Sequence, residues 1–129
     1  MKFEHFLGTD ECADKSGIKD ILSKQNSDGF NEFWISTEKP FPFMAALTKG
    51  KLAYVHFFPE DGHPGFRGLA AEGDNDLSED DVTVFMSNNC SEKMWIENCC
   101  VIPLEKAVNV IEQFFETDKL RGMIEWDEL

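Results

Sequence analysis

The feature that most constrains the fold is a pair of apolar runs separated by a short polar turn. Phe43 to Leu47 and Leu52 to Phe58 are rich in apolar residues, and Thr48 to Lys51 (TKGK) joins them. Gly50 can adopt the positive φ that a tight hairpin turn requires. The sequence therefore predicts an antiparallel β-hairpin at this point and a sheet built around it.

Other segments predict further strands of the same kind. Glu32 to Ser36 is enriched in aromatic and β-branched residues, and Phe66 to Ala71 is apolar enough for a short strand. Val82 to Ser87 and Lys93 to Ile102 flank an Asn- and Ser-containing turn, which predicts a second antiparallel pair. We expect about five or six strands.

Two segments have helical periodicity. Lys15 to Lys24 predicts a short amphipathic helix. From Leu104 to Phe115 apolar residues recur every three or four positions, and Pro103 suits a first helical turn. The sequence predicts one α+β domain over residues 1–129, with a long C-terminal amphipathic helix and a short N-terminal helix packed on an antiparallel sheet.

Charge is the strongest global signal. The 129 residues include 12 Lys plus Arg and 25 Asp plus Glu, for a formal net charge of -13. Such a charge repels nucleic-acid phosphates and anionic membranes, attracts basic partners, and favours a monomer when the protein is free. The N-terminal MKFEHFLGT resembles no signal peptide, and the four cysteines lack the spacing of a disulfide framework. We expect a cytoplasmic protein with reduced thiols.

Metal-binding patterns are weak. His5, His56 and His63 fall in separate predicted elements, and no C-x-x-C or H-x-x-x-H pair occurs. The oxygen-rich segment that starts at Asp74 resembles a calcium loop, but Glu79 replaces its glycine and the position of its bidentate Glu is not acidic. We expect no metal and no cofactor.

Catalytic motifs are also missing, and we expect a protein that is not an enzyme. No G-x-S-x-G, phosphate-binding glycine loop or H-E-x-x-H occurs. The alternative is a small enzyme or ligand-binding domain whose site the fold assembles near His56 to His63, with Asp61 as a further member.

Two acidic segments are candidate binding surfaces. The first comprises Glu72, Asp74, Asp76, Glu79, Asp80 and Asp81, without Lys or Arg between them. It could bind an Arg- or Lys-rich surface as a mimic of nucleic-acid phosphates, or it could be a solvated loop that only aids solubility. The second comprises Glu125, Asp127 and Glu128 around Trp126, whose indole we expect to pack on the core rather than anchor a partner.

The C-terminal third follows a recognisable pattern. Its parts are Glu97 to Ala107 (ENCCVIPLEKA), Phe114 to Thr117 (FFET) and Ile124 to Leu129 (IEWDEL). This pattern resembles the first-numbered immunity protein family of bacterial polymorphic toxin systems, in which an Asn and a hydrophobic pair precede Pro and a helix ends in Phe-Leu-x-Thr-Gly. Phe115 stands here in place of the Leu, and Asp118 in place of the Gly.

The resemblance implies an antitoxin that binds and blocks a cognate toxin domain in the producing cell, often a nucleic-acid deaminase, with a nuclease as the second choice. Charge agrees, because such a toxin holds a polyanion in a basic cleft that an acidic surface could occlude. The matching residues are mostly structural: Asn98 and Pro103 would form the strand-to-helix turn, and Phe114 and Trp126 would pack. No toxin-contacting residue is implied.

Overall fold

A computed structural model describes residues 1–117, 119 and 124–129. Within them the chain forms ten strands, two α-helices and two 3₁₀ turns. In chain order these are β1 (Lys2–His5), β2 (Gly8–Glu11), a 3₁₀ turn (Lys15–Gly17), α1 (Ile18–Leu22), β3 (Phe30–Ser36), β4 (Phe43–Lys49), β5 (Leu52–Phe58), β6 (Phe66–Leu69), β7 (Val82–Ser87), β8 (Glu92–Glu97), a 3₁₀ turn (Asn98–Cys100), β9 (Ile102–Pro103), α2 (Leu104–Thr117) and β10 (Glu125–Glu128).

Eight of these strands form one large sheet in the order β10-β6-β5-β4-β3-β1-β2, with β9 beside β5. The predicted hairpin is confirmed as β4 and β5, and Gly50 has a φ of 57° in its turn. Since β4 occupies one whole edge of β5, the other edge holds β9 at Ala53 and β6 at Phe57. This arrangement places the loop between β6 and β7 beside the segment that precedes α2.

The two helices cover one face of the large sheet. Alternate residues of its central strands point toward them, among them Phe33 and Val55, which are both fully buried. Ile111 and Phe114 of α2 belong to the same core cluster, so the predicted helix from Leu104 is confirmed in position. Trp126 is half-buried and packs against this cluster, as predicted.

The other face of the large sheet carries a two-stranded ribbon formed by β7 and β8. Phe85 of β7 is fully buried and Ile96 of β8 is 8% exposed, and they form a second core cluster with Leu47, Cys100 and Val101. The molecule therefore has three layers, with helices, the large sheet and the ribbon stacked in that order.

The predicted fold class is wrong. In the described residues the protein is β-rich, with ten strands in two sheets and only two short helices, the longer of 14 residues. Strands β1, β2 and β10 have four residues each, too few for a period to be visible, and neighbouring strands supply their pairing. The pair β7–β8 leaves the large sheet to pack on its face.

Smaller differences follow from local geometry. The segment from Lys93 to Ile102, predicted as one strand, ends its pairing at Glu97 because Asn98–Cys100 forms a 3₁₀ turn. Asp118, at which the sequence departs from the family pattern, lies outside the described residues. Neither described helix has both the length and the apolar character needed to cross a membrane.

Candidate functional site

The first acidic segment lies in the connection between β6 and β7, and hydrogen bonds hold this loop in place. The side-chain amide of Asn75 donates to the carbonyl oxygens of Asn98 at 3.2 Å and Val101 at 2.7 Å. The side-chain amide of Asn98 in turn donates to the carbonyl oxygen of Ser78 at 2.7 Å. The loop is therefore fixed to the 3₁₀ turn that follows the ribbon.

Asn98 is the centre of this network. It is 5% exposed, accepts from the Thr83 hydroxyl at 2.6 Å, and donates its backbone N–H to the carbonyl oxygen of Asp81 at 3.0 Å. A buried amide with all of these partners holds its neighbours in one arrangement. Asn98 begins the 3₁₀ turn that follows β8, whereas Pro103, predicted to form the strand-to-helix turn with it, pairs with Leu52 in β9.

The carboxylates of this loop differ in their surroundings. Glu72, Asp76, Glu79, Asp80 and Asp81 are exposed. Asp74 is only 9% exposed in its side chain, because Lys106 of α2 donates to it at 2.6 Å and the Ala71 N–H donates to its second oxygen at 2.7 Å. The loop thus has a compensating cation that its own sequence lacks.

The C-terminal acidic set has mostly intramolecular partners. The Nε of Arg67 donates to Asp127 at 2.8 Å, and the Nε2 of His63 lies 2.9 Å from a Glu128 oxygen. Glu125 is exposed and forms no ion pair within the described part of the chain. Two of the three predicted binding carboxylates are therefore engaged by the protein itself.

Arg67 also joins the ribbon to the large sheet. Its Nη1 donates to Glu97, at the end of β8, at 2.9 Å. The hydrogen bonds that it donates to Glu97 and Asp127 raise the pKa of this guanidinium above its usual value. The ion pair fixes one end of the ribbon over β6.

At the alternative site near His56, both histidine side chains already have hydrogen-bond partners. The Nε2 of His56 lies 2.8 Å from the carbonyl oxygen of Pro64, which can only accept, so Nε2 carries the proton and Nδ1 accepts from the Tyr54 hydroxyl at 2.8 Å. Burial lowers the pKa of His56 and raises the pKa of Tyr54 to about 12. The Nδ1 of His63 accepts from the Gly65 N–H at 2.8 Å.

Each of these two imidazoles therefore uses both nitrogens within the protein. Asp61 is exposed, and in the residues that the structure describes no hydrogen bond joins it to either histidine. The predicted grouping of His56, His63 and Asp61 is not assembled as a catalytic constellation.

Metal and thiol chemistry can be described briefly. Among the described residues, no three or more His, Cys, Asp or Glu side chains are arranged to hold a metal ion. All four cysteines are free. Cys99 and Cys100 lie in the 3₁₀ turn with sulfurs 3.9 Å apart, and burial raises the pKa of Cys100 to about 12.

The structure also reveals an exposed apolar feature that the sequence analysis missed. Trp95 of β8 is 63% exposed, and Val82 of β7 is 41% exposed. The signal was present in Lys93 to Glu97 (KMWIE), because strand alternation places Trp95 on the same side as the charged Lys93 and Glu97, away from Met94 and Ile96. A tryptophan on the polar side of an amphipathic strand is predicted to be exposed.

Comparison with known proteins gives a similarity that extends along the whole chain. No protein-family model matches the sequence. The chain is similar to the double-stranded DNA deaminase immunity protein of Burkholderia cenocepacia (strain H111), with 22% identity over 130 residues that cover 100% of both chains. The aligned region therefore spans the whole of this chain.

Proposed function

We propose that this protein is an immunity protein that binds a deaminase toxin domain and blocks it, without catalysing a reaction itself. The observation that carries the proposal is the full-length similarity to a protein named as the immunity protein of a double-stranded DNA deaminase. The resemblance of the C-terminal third to the first-numbered immunity family of polymorphic toxin systems supports the same role.

The proposed mechanism is occlusion of a basic substrate cleft by an acidic surface. An enzyme that deaminates a base in DNA has to attract the phosphate backbone and bring the target base into its pocket. The net charge of -13 attracts such a cleft and accelerates association. Blocking then needs only contact over the cleft, with no cofactor and no chemical step.

The loop between β6 and β7 is the leading candidate for this contact. Its exposed carboxylates are Glu72, Asp76, Glu79, Asp80 and Asp81. Carboxylates pair with Arg in strong, bidentate hydrogen bonds. Because Asn75 and Asn98 hold the loop to the rest of the molecule, little conformational entropy is lost when it binds.

The tail carboxylates are the second candidate set. Asp127 and Glu128 would have to exchange Arg67 and His63 for partners on the toxin, which removes part of the gain. Asp74 is in the same position, since it is already paired with Lys106. We therefore place these residues at the edge of the proposed contact.

Titration into the purified toxin domain encoded beside this protein tests the proposal. Binding heat and residual deamination of double-stranded DNA would be measured at two salt concentrations. We expect tight binding that salt weakens, together with loss of deamination; strand cleavage by the toxin instead would identify a nuclease partner. Absence of a complex, with no rescue of growth on co-expression, would contradict the proposed function.

A further inference from the structure

The outward face of the β7–β8 ribbon is apolar where a surface is expected to be polar. The inward face carries Phe85 and Ile96, which pack on the large sheet. On the outward face Trp95 lies directly across from Val84, and Val82 follows one pair further along the same side. An indole that is 63% exposed is costly in water unless a partner covers it.

Charged side chains flank this apolar face, and the exposed Lys93 lies on the same side of β8 as Trp95. Glu97 shares the side of β8 on which Trp95 lies and is 59% exposed. Asp81 is exposed and immediately precedes Val82, and its carbonyl oxygen accepts from Asn98 at the end of β8. The end of the acidic loop and the outward face of the ribbon therefore form one continuous surface.

The ribbon is held at both ends. At its turn, Glu32 of β3 accepts from the Ser87 hydroxyl at 2.6 Å and from the Asn88 N–H at 3.0 Å. At the opposite end, Glu97 is paired with Arg67. Trp95 is thus presented by a fixed strand rather than by a loop, so covering it requires little ordering.

The charge around Trp95 selects the kind of partner. The net charge of -13 and the exposed carboxylate of Asp81 outweigh Lys93 and repel an acidic surface, whereas an arginine can stack its guanidinium on the indole and donate to a carboxylate at the same time. Partly exposed tryptophans surrounded by polar groups are also the residues that most often dominate binding energy.

We infer that the outward face of the β7–β8 ribbon, centred on Trp95, docks an arginine- or lysine-bearing segment of the toxin domain that this protein blocks. The inference rests on the proposed function and adds the residues that make the contact. Trp95 is the apolar anchor and Asp81 supplies the neighbouring negative charge, with Glu97 at the edge of the contact because it is already paired with Arg67.

The variant Trp95→Ala tests this inference against Trp34→Ala as a matched control. Trp34 is also exposed, at 44%, but it belongs to β3 of the large sheet. Both variants would be titrated into the purified toxin domain after thermal unfolding has verified that they fold. Trp95→Ala is expected to raise the Kd about 30-fold or more, and Trp34→Ala by no more than about threefold.

A second measurement does not depend on the alanine variant folding. The intact protein would be labelled with 5-fluorotryptophan, and the ¹⁹F resonance of Trp95 would be assigned with Trp95→Phe. We expect this resonance to shift when the toxin domain is added, while the resonance of Trp34 keeps its position.

The outcomes distinguish a failure of the Trp95 contact from a failure of the proposed function. If the wild-type protein binds and inhibits the toxin but Trp95→Ala does so equally well, or the Trp95 resonance does not move, the inference is overturned and the proposed function stands. Equal losses for both tryptophan variants also overturn it. If the wild-type protein does not bind the toxin, the proposed function fails and the inference fails with it.

Discussion

The two acidic segments of this protein look alike in sequence and differ in space. In the loop from Glu72 to Asp81, one carboxylate of six, that of Asp74, has a lysine partner in the described structure. In the tail from Glu125 to Glu128, two of three carboxylates are paired. The number of acidic residues therefore does not tell how many of them are available to a partner.

The cause of the difference is strand register. Pairing of β10 with β6 sets Asp127 opposite Arg67, and the loop before β6 brings His63 to Glu128. The acidic loop from Glu72 to Asp81 is not part of the large sheet and has no such strand partner. Of its carboxylates, only Asp74 reaches α2. Local sequence cannot predict such pairings because the partners lie 60 and 65 residues apart.

The largest expected effect comes from removing the packing that holds the ribbon beside the acidic loop, while the C-terminal tail is left unchanged. Phe85→Ala deletes the fully buried ring that holds the ribbon on the large sheet. We expect the free energy of unfolding to fall by about 3–5 kcal/mol, measured by urea denaturation.

Hydrogen exchange would locate this effect. Residues 72–97 should exchange faster in Phe85→Ala, and residues 125–128 should be unchanged. The control is Val84→Ala on the outward face, which should cost about 1 kcal/mol or less. A loss below about 1 kcal/mol for Phe85→Ala would mean that the ribbon is not held by its apolar face.

Charge reversal compares the two regions as binding surfaces. Glu79→Lys with Asp80→Lys should weaken toxin binding by about 2 kcal/mol or more, because the lysines would face a basic cleft. The matched tail variant, Glu125→Lys with Glu128→Lys, should change binding by no more than about 1 kcal/mol. Calorimetric titration of both pairs gives the comparison, and equal losses would mean that the loop has no special role.

Removing Arg67, the cation that pairs with Asp127 of the tail, should have a smaller effect on stability. Arg67→Met leaves Asp127 and Glu97 without their partner, and we expect about 1 kcal/mol of lost stability, less at high salt. Lys2→Met is the control, because it breaks a pair with Glu4 in which both side chains are about half exposed. Urea denaturation of the two variants would contradict this prediction if their losses were the same.

The smallest expected effect is a pH dependence at His56. Burial lowers the pKa of His56 below its ordinary value of 6.5, so the unfolded chain takes up this proton more readily than the folded one. The stability due to neutral His56 is complete above about pH 6.5 and is lost as the pH falls from there toward the lowered pKa. As the pH falls from 7.5 to 5.5, the free energy of unfolding of the wild type should therefore decrease more than that of His56→Gln. Urea denaturation at each pH measures this, and equal decreases in the two proteins would refute it.

Elements with their own local pattern could be predicted, and very short strands that depend on a distant partner could not. The β4–β5 hairpin and α2 each carry their own period and turn or start signal, so they were placed correctly. The strands β1, β2, β9 and β10 have two to four residues and depend on a neighbour that is distant in sequence. That dependence is why the strand count and the fold class were wrong.

The candidate surface divides in the same way. The acidic loop was found from composition, and its exposed carboxylates were predicted as a group. The pairing of Asp74 with Lys106 depends on the position of α2, and the exposure of Trp95 depends on which face of the ribbon meets the large sheet. Strand alternation could have indicated the second of these, but not the first.

By itself the sequence determined the net charge, the acidic loop, the central hairpin and the C-terminal helix, because each is encoded in consecutive residues. Only the tertiary structure decided which carboxylates of the described residues stay unpaired, and that His56 and His63 are engaged within the protein. The physical reason is that ion pairing and burial are properties of neighbours in space, and here strand register and layer packing choose those neighbours.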